Sequence, residues 1–314
     1  MKLVKANELC NLTTSTGGIF QVNSFERAYQ FCKNVTLSHY ENFPVGSLII
    51  PKKYRKHFYS VYAFSRIADD IADESNDNPS ARIQYLNDLA EMINQIDKFA
   101  NNPNEQKKII TAFSNPIILA LSQTMAEKNI ASEPFLKLLK AFKRDILFEQ
   151  PKDFAAIEDY CMFSANPIGE IILGIFGLYN DITKQFSDSV CTGLQMVNFW
   201  QDLSIDLQKG RCYLPHDFLQ KYILTKENLH HTENSVKLSQ ILNEIYDYTY
   251  SFFIKGRNLV KYLTGFRLKF EIRATLNGGE LMLDKLIKLN TGILNHRPYH
   301  RKFDIIKILF KSLI

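Results

Sequence analysis

Two acidic stretches lie inside otherwise apolar helical patterns. In Arg66-Ile67-Ala68-Asp69-Asp70-Ile71-Ala72-Asp73-Glu74, Asp69 and Asp73 are four residues apart and project from one helix face about a turn apart. The stretch Asn198-Phe199-Trp200-Gln201-Asp202-Leu203-Ser204-Ile205-Asp206 repeats the geometry, so Asn198, Asp202 and Asp206 form one stripe. Like charges at this spacing weaken a helix by roughly a few tenths of a kcal/mol per pair, and by more when buried. A divalent cation is the economical compensation. Oxygen donors with no neighbouring His or Cys favour magnesium, which keeps several waters and takes further ligands from substrate phosphate.

A single Asp-x-x-x-Asp is more often a solvated helix face than a metal site. Here there are two, flanked by Phe64, Ile67 and Ile71 in the first case and by Phe199, Trp200 and Leu203 in the second. That flanking places the carboxylates at the edge of a core. Arg66 precedes the first copy, and Lys209 and Arg211 follow the second. A guanidinium forks onto phosphate oxygens, so acids and arginines together predict a magnesium-bridged diphosphate. The competing reading of Arg66 is a plain salt bridge to Asp69 or Asp70.

The elements that must position these residues read as helices almost throughout, because apolar residues recur at three and four and rarely alternate. A capping-box-like Asn23/Glu26 predicts a helix over 24–39, stopped by Glu41-Asn42-Phe43-Pro44. Pro51 suits the first turn of a helix reaching about Glu74, and Pro79 the start of the next. Pro116 is expected to break or kink the one after. Ser132 is expected to cap a helix to about Glu149, Asn166-Pro167 to open another, and residues 184–209 to form one helix stopped at Gly210. Helices near 233–263, 273–290 and 301–314 complete an all-α chain. With no repeat and no Gly/Ser/Pro-rich linker, the simplest organisation is an extension over 1–23, one helical domain over 24–300 and a terminal helix over 301–314.

Composition narrows the class. The 314 residues are 46% hydrophobic and 23% charged, which excludes a disordered or fibrous chain. No apolar run has the length of a membrane span, and the first residues lack a signal-peptide core, so a cytoplasmic protein is expected, with peripheral contact at the inner face of the membrane. The five cysteines form no CxxC pair and read as reduced structural thiols. Residues 251–314 hold 13 Lys/Arg against 4 Asp/Glu, which suits an anionic ligand or an anionic membrane. Nucleic acid is not an expected partner, because no nucleic-acid-binding pattern accompanies the charge.

The segments Tyr62-Ala-Phe-Ser-Arg66-Ile-Ala-Asp69-Asp70-Ile-Ala-Asp73-Glu74 and Gln195-Met-Val-Asn198-Phe-Trp-Gln-Asp202-Leu-Ser-Ile-Asp206-Leu-Gln-Lys-Gly210-Arg211-Cys-Tyr213-Leu-Pro215 resemble the two aspartate-rich motifs of the squalene/phytoene synthases. The resemblance runs from about residue 24 to 300. It implies the α-helical isoprenoid synthase fold, a single bundle with both motifs facing a central cavity that holds Mg2+ and a prenyl diphosphate. Finer features, among them His39-Tyr40-Glu41-Asn42-Phe43-Pro44-Val45, Ser164-Ala165-Asn166-Pro167, Asn198-Phe199-Trp200-Gln201-Asp202 and Asn277-Gly278-Gly279, resemble the hydroxysqualene synthase branch of the bacterial hopanoid pathway. That branch takes presqualene diphosphate from a sister synthase, ionises it and captures the cation with water.

By this resemblance Asp69, Asp73, Asn198, Asp202 and Asp206 bind magnesium, assisted by Asp70. Asn42, Tyr62, Arg66, Arg211 and Tyr213 line the diphosphate or allyl sites, and Tyr160 stands beside the reacting cation. One departure is visible: where relatives carry an Arg-Tyr pair after Asp145, this chain has Glu149-Gln150-Pro151. The rival readings are a head-to-head synthase acting on farnesyl or geranylgeranyl diphosphate, with the same metal machinery, and a catalytically silent assembly factor, which the intact acidic motifs disfavour. The terminal helix is amphipathic, with Phe303, Ile306, Phe310 and Leu313 on one side and Asp304, Lys307 and Lys311 on another. Docking on anionic lipid and packing on its own core are the two readings of it.

Overall fold

Proline and asparagine set most of the helix starts. The computed structural model describes residues 24–38, 50–73, 77–100 and 115–313, the side chains of 99 and 100 apart, and these form helices and turns with no strand among them. Helix α1 (Phe25–Ser38) is capped by Ser24, whose hydroxyl accepts from the Arg27 amide at 3.3 Å; the expected cap, Asn23, lies outside the described residues. Helix α2 (Lys52–Asp73) follows Pro51, and α3 (Pro79–Ala100) starts on its proline with Asn78 Oδ1 accepting from the Ala81 amide at 2.9 Å. Pro116 starts a helix rather than kinking one: it occupies the first turn of α4 (Pro116–Lys128), with Asn115 Oδ1 accepting from the amides of Ile117 and Ile118. Ser132 precedes α5 (Glu133–Ile146) but does not cap it, because its hydroxyl donates to Asp97 instead.

The described residues up to Leu147, together with Ile171–Tyr179, form one compact unit. In it α2 packs against α1, α3, α4 and α5, and Phe64 meets Phe135 edge-on with ring centres 5.6 Å apart. The buried Thr124 hydroxyl joins α1, α2 and α4 through Tyr29 Oη at 3.0 Å, His57 Nδ1 at 3.1 Å and Ser60 Oγ at 2.8 Å. Burial pushes the His57 imidazole down to about 4, with Lys128 and Lys56 adding to the shift, so it stays neutral at the heart of this network.

Phe148–Glu170 and the chain from Asn180 on form a second unit. Its elements are α6 (Phe154–Ser164), which the periodicity does not reveal, the first part of α7 (Asn166–Phe176), α8 (Asp181–Gln201), α9 (Leu203–Gln208), α10 (His216–Lys221), α11 (Ser235–Gly256), α12 (Leu259–Tyr262), α13 (Phe266–Leu289) and α14 (Lys302–Ser312). The single helix expected over 184–209 is divided at Asp202, and that expected over 233–263 between Gly256 and Leu259. Helices α8, α11 and α13 pack on one another. At their junction Gly279 leaves no room for a side chain: a Cβ there would stand 2.7 Å from Phe253 and 2.8 Å from Leu194. The cysteines among the described residues, Cys32, Cys161, Cys191 and Cys212, are free thiols, as expected.

On α13, burial raises the Glu271 carboxyl from 4.5 to about 7. An acid with a raised folded-state pKa is tolerated while protonated and opposes folding once ionised, so its cost grows as pH climbs from 4.5 through 7. Glu271→Gln is therefore expected to raise unfolding stability by about 3 kcal/mol at pH 8 and to leave it unchanged at pH 4. Urea unfolding at the two pH values checks this, and an equal effect at both would show that the carboxyl is not the cause.

Candidate active site

Helix α2 carries the first acidic motif in the first unit without interruption, so the spacing of Asp69 and Asp73 is that of one helix face. Arg66 is paired with both neighbouring aspartates: Nη1 lies 3.4 Å from Asp69 Oδ2 and Nη2 lies 2.6 Å from Asp70 Oδ1. The side chains differ in exposure, Asp69 at 46% and Asp70 at 13%, which makes Asp70 the inner anchor of the guanidinium and Asp69 the more accessible carboxylate. Asp73 is exposed. Tyr62 stands one turn before Arg66. Burial raises its phenol above the ordinary value, Arg66 opposes the shift and Asp70 and Asp69 reinforce it, so Tyr62 remains a neutral hydroxyl beside the ion pairs.

The second motif lies in the second unit and is divided where one continuous helix was expected. Helix α8 ends at Gln201, Asp202 occupies the junction and α9 begins at Leu203. The backbone nevertheless keeps the register: the Asp202 amide donates to Asn198 O at 2.9 Å and the Asp206 amide to Asp202 O at 2.9 Å. Asn198, Asp202 and Asp206 thus keep helical spacing across the break. Gly210, with φ of 77°, turns the chain back so that the Arg211 amide reaches Asp206 O at 2.8 Å. A left-handed residue after a helix is a position that glycine fills without strain.

An aromatic stack is built on Phe199, the buried residue that follows the exposed Asn198. Tyr213 lies on Phe199 with ring centres 4.0 Å apart and planes 13° apart, Tyr160 tilts against both, and Phe148 meets Tyr213 edge-on at 5.1 Å. Of the residues predicted in this unit, the structure brings Tyr160 and Tyr213 together through Phe199. It links Arg211 to Asp206 through the backbone. Phe199 shares its helix with Asn198, so the acidic stripe and the aromatic wall start on successive residues.

The squalene/phytoene synthase family model matches residues 37–304. The chain belongs to that family. It is 31% identical over 234 residues to a hydroxysqualene synthase of Rhodopseudomonas palustris, covering 74% of each chain, and 29% identical over 251 residues to one of Sinorhizobium fredii, covering 79% of each. The structure of a squalene synthase from Alicyclobacillus acidocaldarius superimposes with a TM-score of 0.75 at 32% identity, covering 85% of this chain and 95% of that one. The fold is accordingly the all-α isoprenoid synthase fold. The family's enzymes use prenyl diphosphates and generally a divalent metal.

Contacts made by three residues around the candidate site in this family member escaped sequence reasoning. Arg297 Nε donates to Asp202 Oδ1, and Gln201 Nε2 donates to the Pro298 carbonyl at 2.8 Å, so the segment before α14 is fastened to the second motif. Gln150, within the departure from the family pattern, donates to the Leu214 carbonyl at 2.8 Å, while the His216 amide donates to Pro151 O at 2.9 Å. These bonds hold the Arg211–Pro215 segment in place, so the departure has a structural role. Asn42 lies outside the described residues.

The donor chemistry fits magnesium. Among the described residues no three His, Cys, Asp or Glu side chains form a group that could hold a metal ion; what the two motifs offer is hard oxygen donors, the kind magnesium takes. The carboxylates meanwhile accept guanidinium partners, Arg66 on Asp69 and Asp70 and Arg297 on Asp202, so both motifs seek positive charge.

Proposed function

We propose that this enzyme converts presqualene diphosphate and water to hydroxysqualene and diphosphate, receiving its substrate from a sister synthase. The reading rests on an acidic stripe and an aromatic stack that begin on successive residues of α8: Asn198, Asp202 and Asp206 in the stripe, Phe199, Tyr213 and Tyr160 in the stack. The match to two hydroxysqualene synthases supports it. In this proposal Asp69, Asp73, Asn198, Asp202 and Asp206 hold Mg2+, which supplies Lewis-acid neutralisation of the diphosphate. Arg66 and Arg211 bind its non-bridging oxygens, each guanidinium being a planar fork matched to phosphate.

The chemistry then divides among this chain's own groups. The C–O bond to diphosphate breaks, and the electron pair leaves with the departing oxygen, whose charge the arginines share. The cation left behind rearranges against the π faces of Tyr160, Phe199 and Tyr213, which stabilise it without offering a nucleophile. Water then forms the new C–O bond and loses a proton to solvent or to diphosphate. No hydride is consumed, so no reductant is required.

A second reading is favoured by the superposition on a squalene synthase: head-to-head condensation of two farnesyl diphosphates. Incubation of the purified protein and Mg2+ with presqualene diphosphate, and separately with farnesyl diphosphate, decides between them by mass spectrometry. Hydroxysqualene from the first substrate alone, gaining two mass units in H2(18)O, is the expected result. Turnover of farnesyl diphosphate would replace the first reading with the second.

A further inference from the structure

Helix α14 has two apolar faces, and only one of them is packed. On the inner face Ile308 lies against Gly278, and Ser312 Oγ accepts from Asn277 Nδ2 at 2.9 Å. Asp304 pairs with Lys285, which fixes the rotation of the helix on α13. The opposite stripe is Phe303, Ile306, Phe310 and Leu313, at helical spacings of three, four and three, with exposures of 85%, 50%, 69% and 52%. Scattered apolar residues are ordinary on a protein surface, whereas a continuous stripe with two phenylalanines marks a contact.

We propose that this stripe is an in-plane anchor that seats the second unit on an anionic lipid bilayer. Charge complementarity selects the occupant. Lys302 and Lys307 project at the two borders of the stripe and have no ion-pair partner among the described residues, while Lys311 is 60% exposed despite lying 3.7 Å from Glu280. Of the four acids in residues 251–314, Glu280 and Asp304 are engaged by Arg257, Lys311 and Lys285, which leaves the surface around the stripe basic. Lysines flanking an apolar stripe reach headgroup phosphates while the stripe enters the acyl boundary. A second copy docking stripe to stripe would instead set like-charged lysine rows against each other. At 11 residues α14 spans only about 16 Å, too short to cross a membrane and suited to lying along it. The inference does not depend on which prenyl diphosphate the enzyme uses.

Deleting the helix is a poor test, because it would uncover α13 and strand Asn277. Substitution on the outer stripe avoids this. Full-length protein, without substrate, is floated with phosphatidylcholine vesicles with and without phosphatidylglycerol. Wild type is expected to float with the anionic vesicles. Phe303→Ser/Phe310→Ser should lower partitioning at least about tenfold. Lys302→Gln/Lys307→Gln should lower it about fivefold per lysine on anionic vesicles and leave neutral vesicles unaffected. Circular dichroism should be unchanged in both variants, and the lysine variant keeps the test valid if the phenylalanine variant loses structure. Wild type that fails to float, a folded phenylalanine variant that floats as well as wild type, or a dimer abolished by that variant would each overturn the proposal.

Discussion

Asp202→Asn is expected to lower kcat/KM for the prenyl diphosphate by about a thousandfold or more while the protein stays folded. The substitution is isosteric and removes only the charge. Asp202 is one-third exposed, so its amide is readily solvated, and the backbone bonds that keep the register from Asn198 to Asp206 are untouched. What disappears is the carboxylate at the junction between α8 and α9, the central member of the stripe. A loss confined to charge also predicts a weaker response to Mg2+: the variant should need at least about tenfold more metal for half-maximal pyrophosphate release. Arg297→Gln provides the contrast. It removes the guanidinium that neutralises Asp202 in this structure but leaves the oxygen ligand, so its activity should fall far less than that of Asp202→Asn. Equal losses in the two variants would make Arg297, rather than a metal, the essential partner of Asp202.

How far the site is legible in the sequence follows from what each contact depends on. Where a helix begins on proline or asparagine, the signal is local, and α2, α3 and α7 begin close to where those residues place them; the same signal at Asn115-Pro116 and at Asn180 went unread, so α4 was expected to kink and α8 to begin at 184 rather than at Asp181. Asp69 and Asp73 share one uninterrupted helix, so their spacing alone gives their face. The interruption at Asp202 breaks no local rule and is invisible, since the i to i−4 hydrogen bonds continue through it. Helix α6, Phe-Ala-Ala-Ile-Glu-Asp-Tyr-Cys-Met-Phe-Ser, is too evenly apolar to show a period, and α13 begins at Phe266 rather than near 273 because exposed Arg267 interrupts its apolar pattern. Arg297 meets Asp202 across 95 residues and Gln150 meets Leu214 across 64. No spacing rule reaches that far. Ser132 shows the opposite failure: a good local cap residue whose hydroxyl is taken by Asp97, a tertiary partner that outcompetes the local one.

Arg66→Gln should separate binding from stability at the first motif. The guanidinium bridges Asp69 and Asp70, and Asp70, at 13% exposure, has little water to replace it. Its removal leaves two adjacent carboxylates without that compensation, so a stability loss of about 1–3 kcal/mol is expected in urea unfolding, along with a hundredfold or greater loss, roughly, in kcat/KM. The two effects have different remedies. Asp70→Asn added to Arg66→Gln removes the stranded inner charge and should recover most of the stability, yet it restores no cation for the diphosphate, so activity should stay low. Arg66→Lys should behave in the complementary way: its point charge can pair with Asp70 and preserve the fold, but a single ammonium cannot fork across two oxygens, so activity should recover only in part. If the double variant regained activity together with stability, Arg66 would be a structural tie for α2 and the diphosphate contact would belong to another residue.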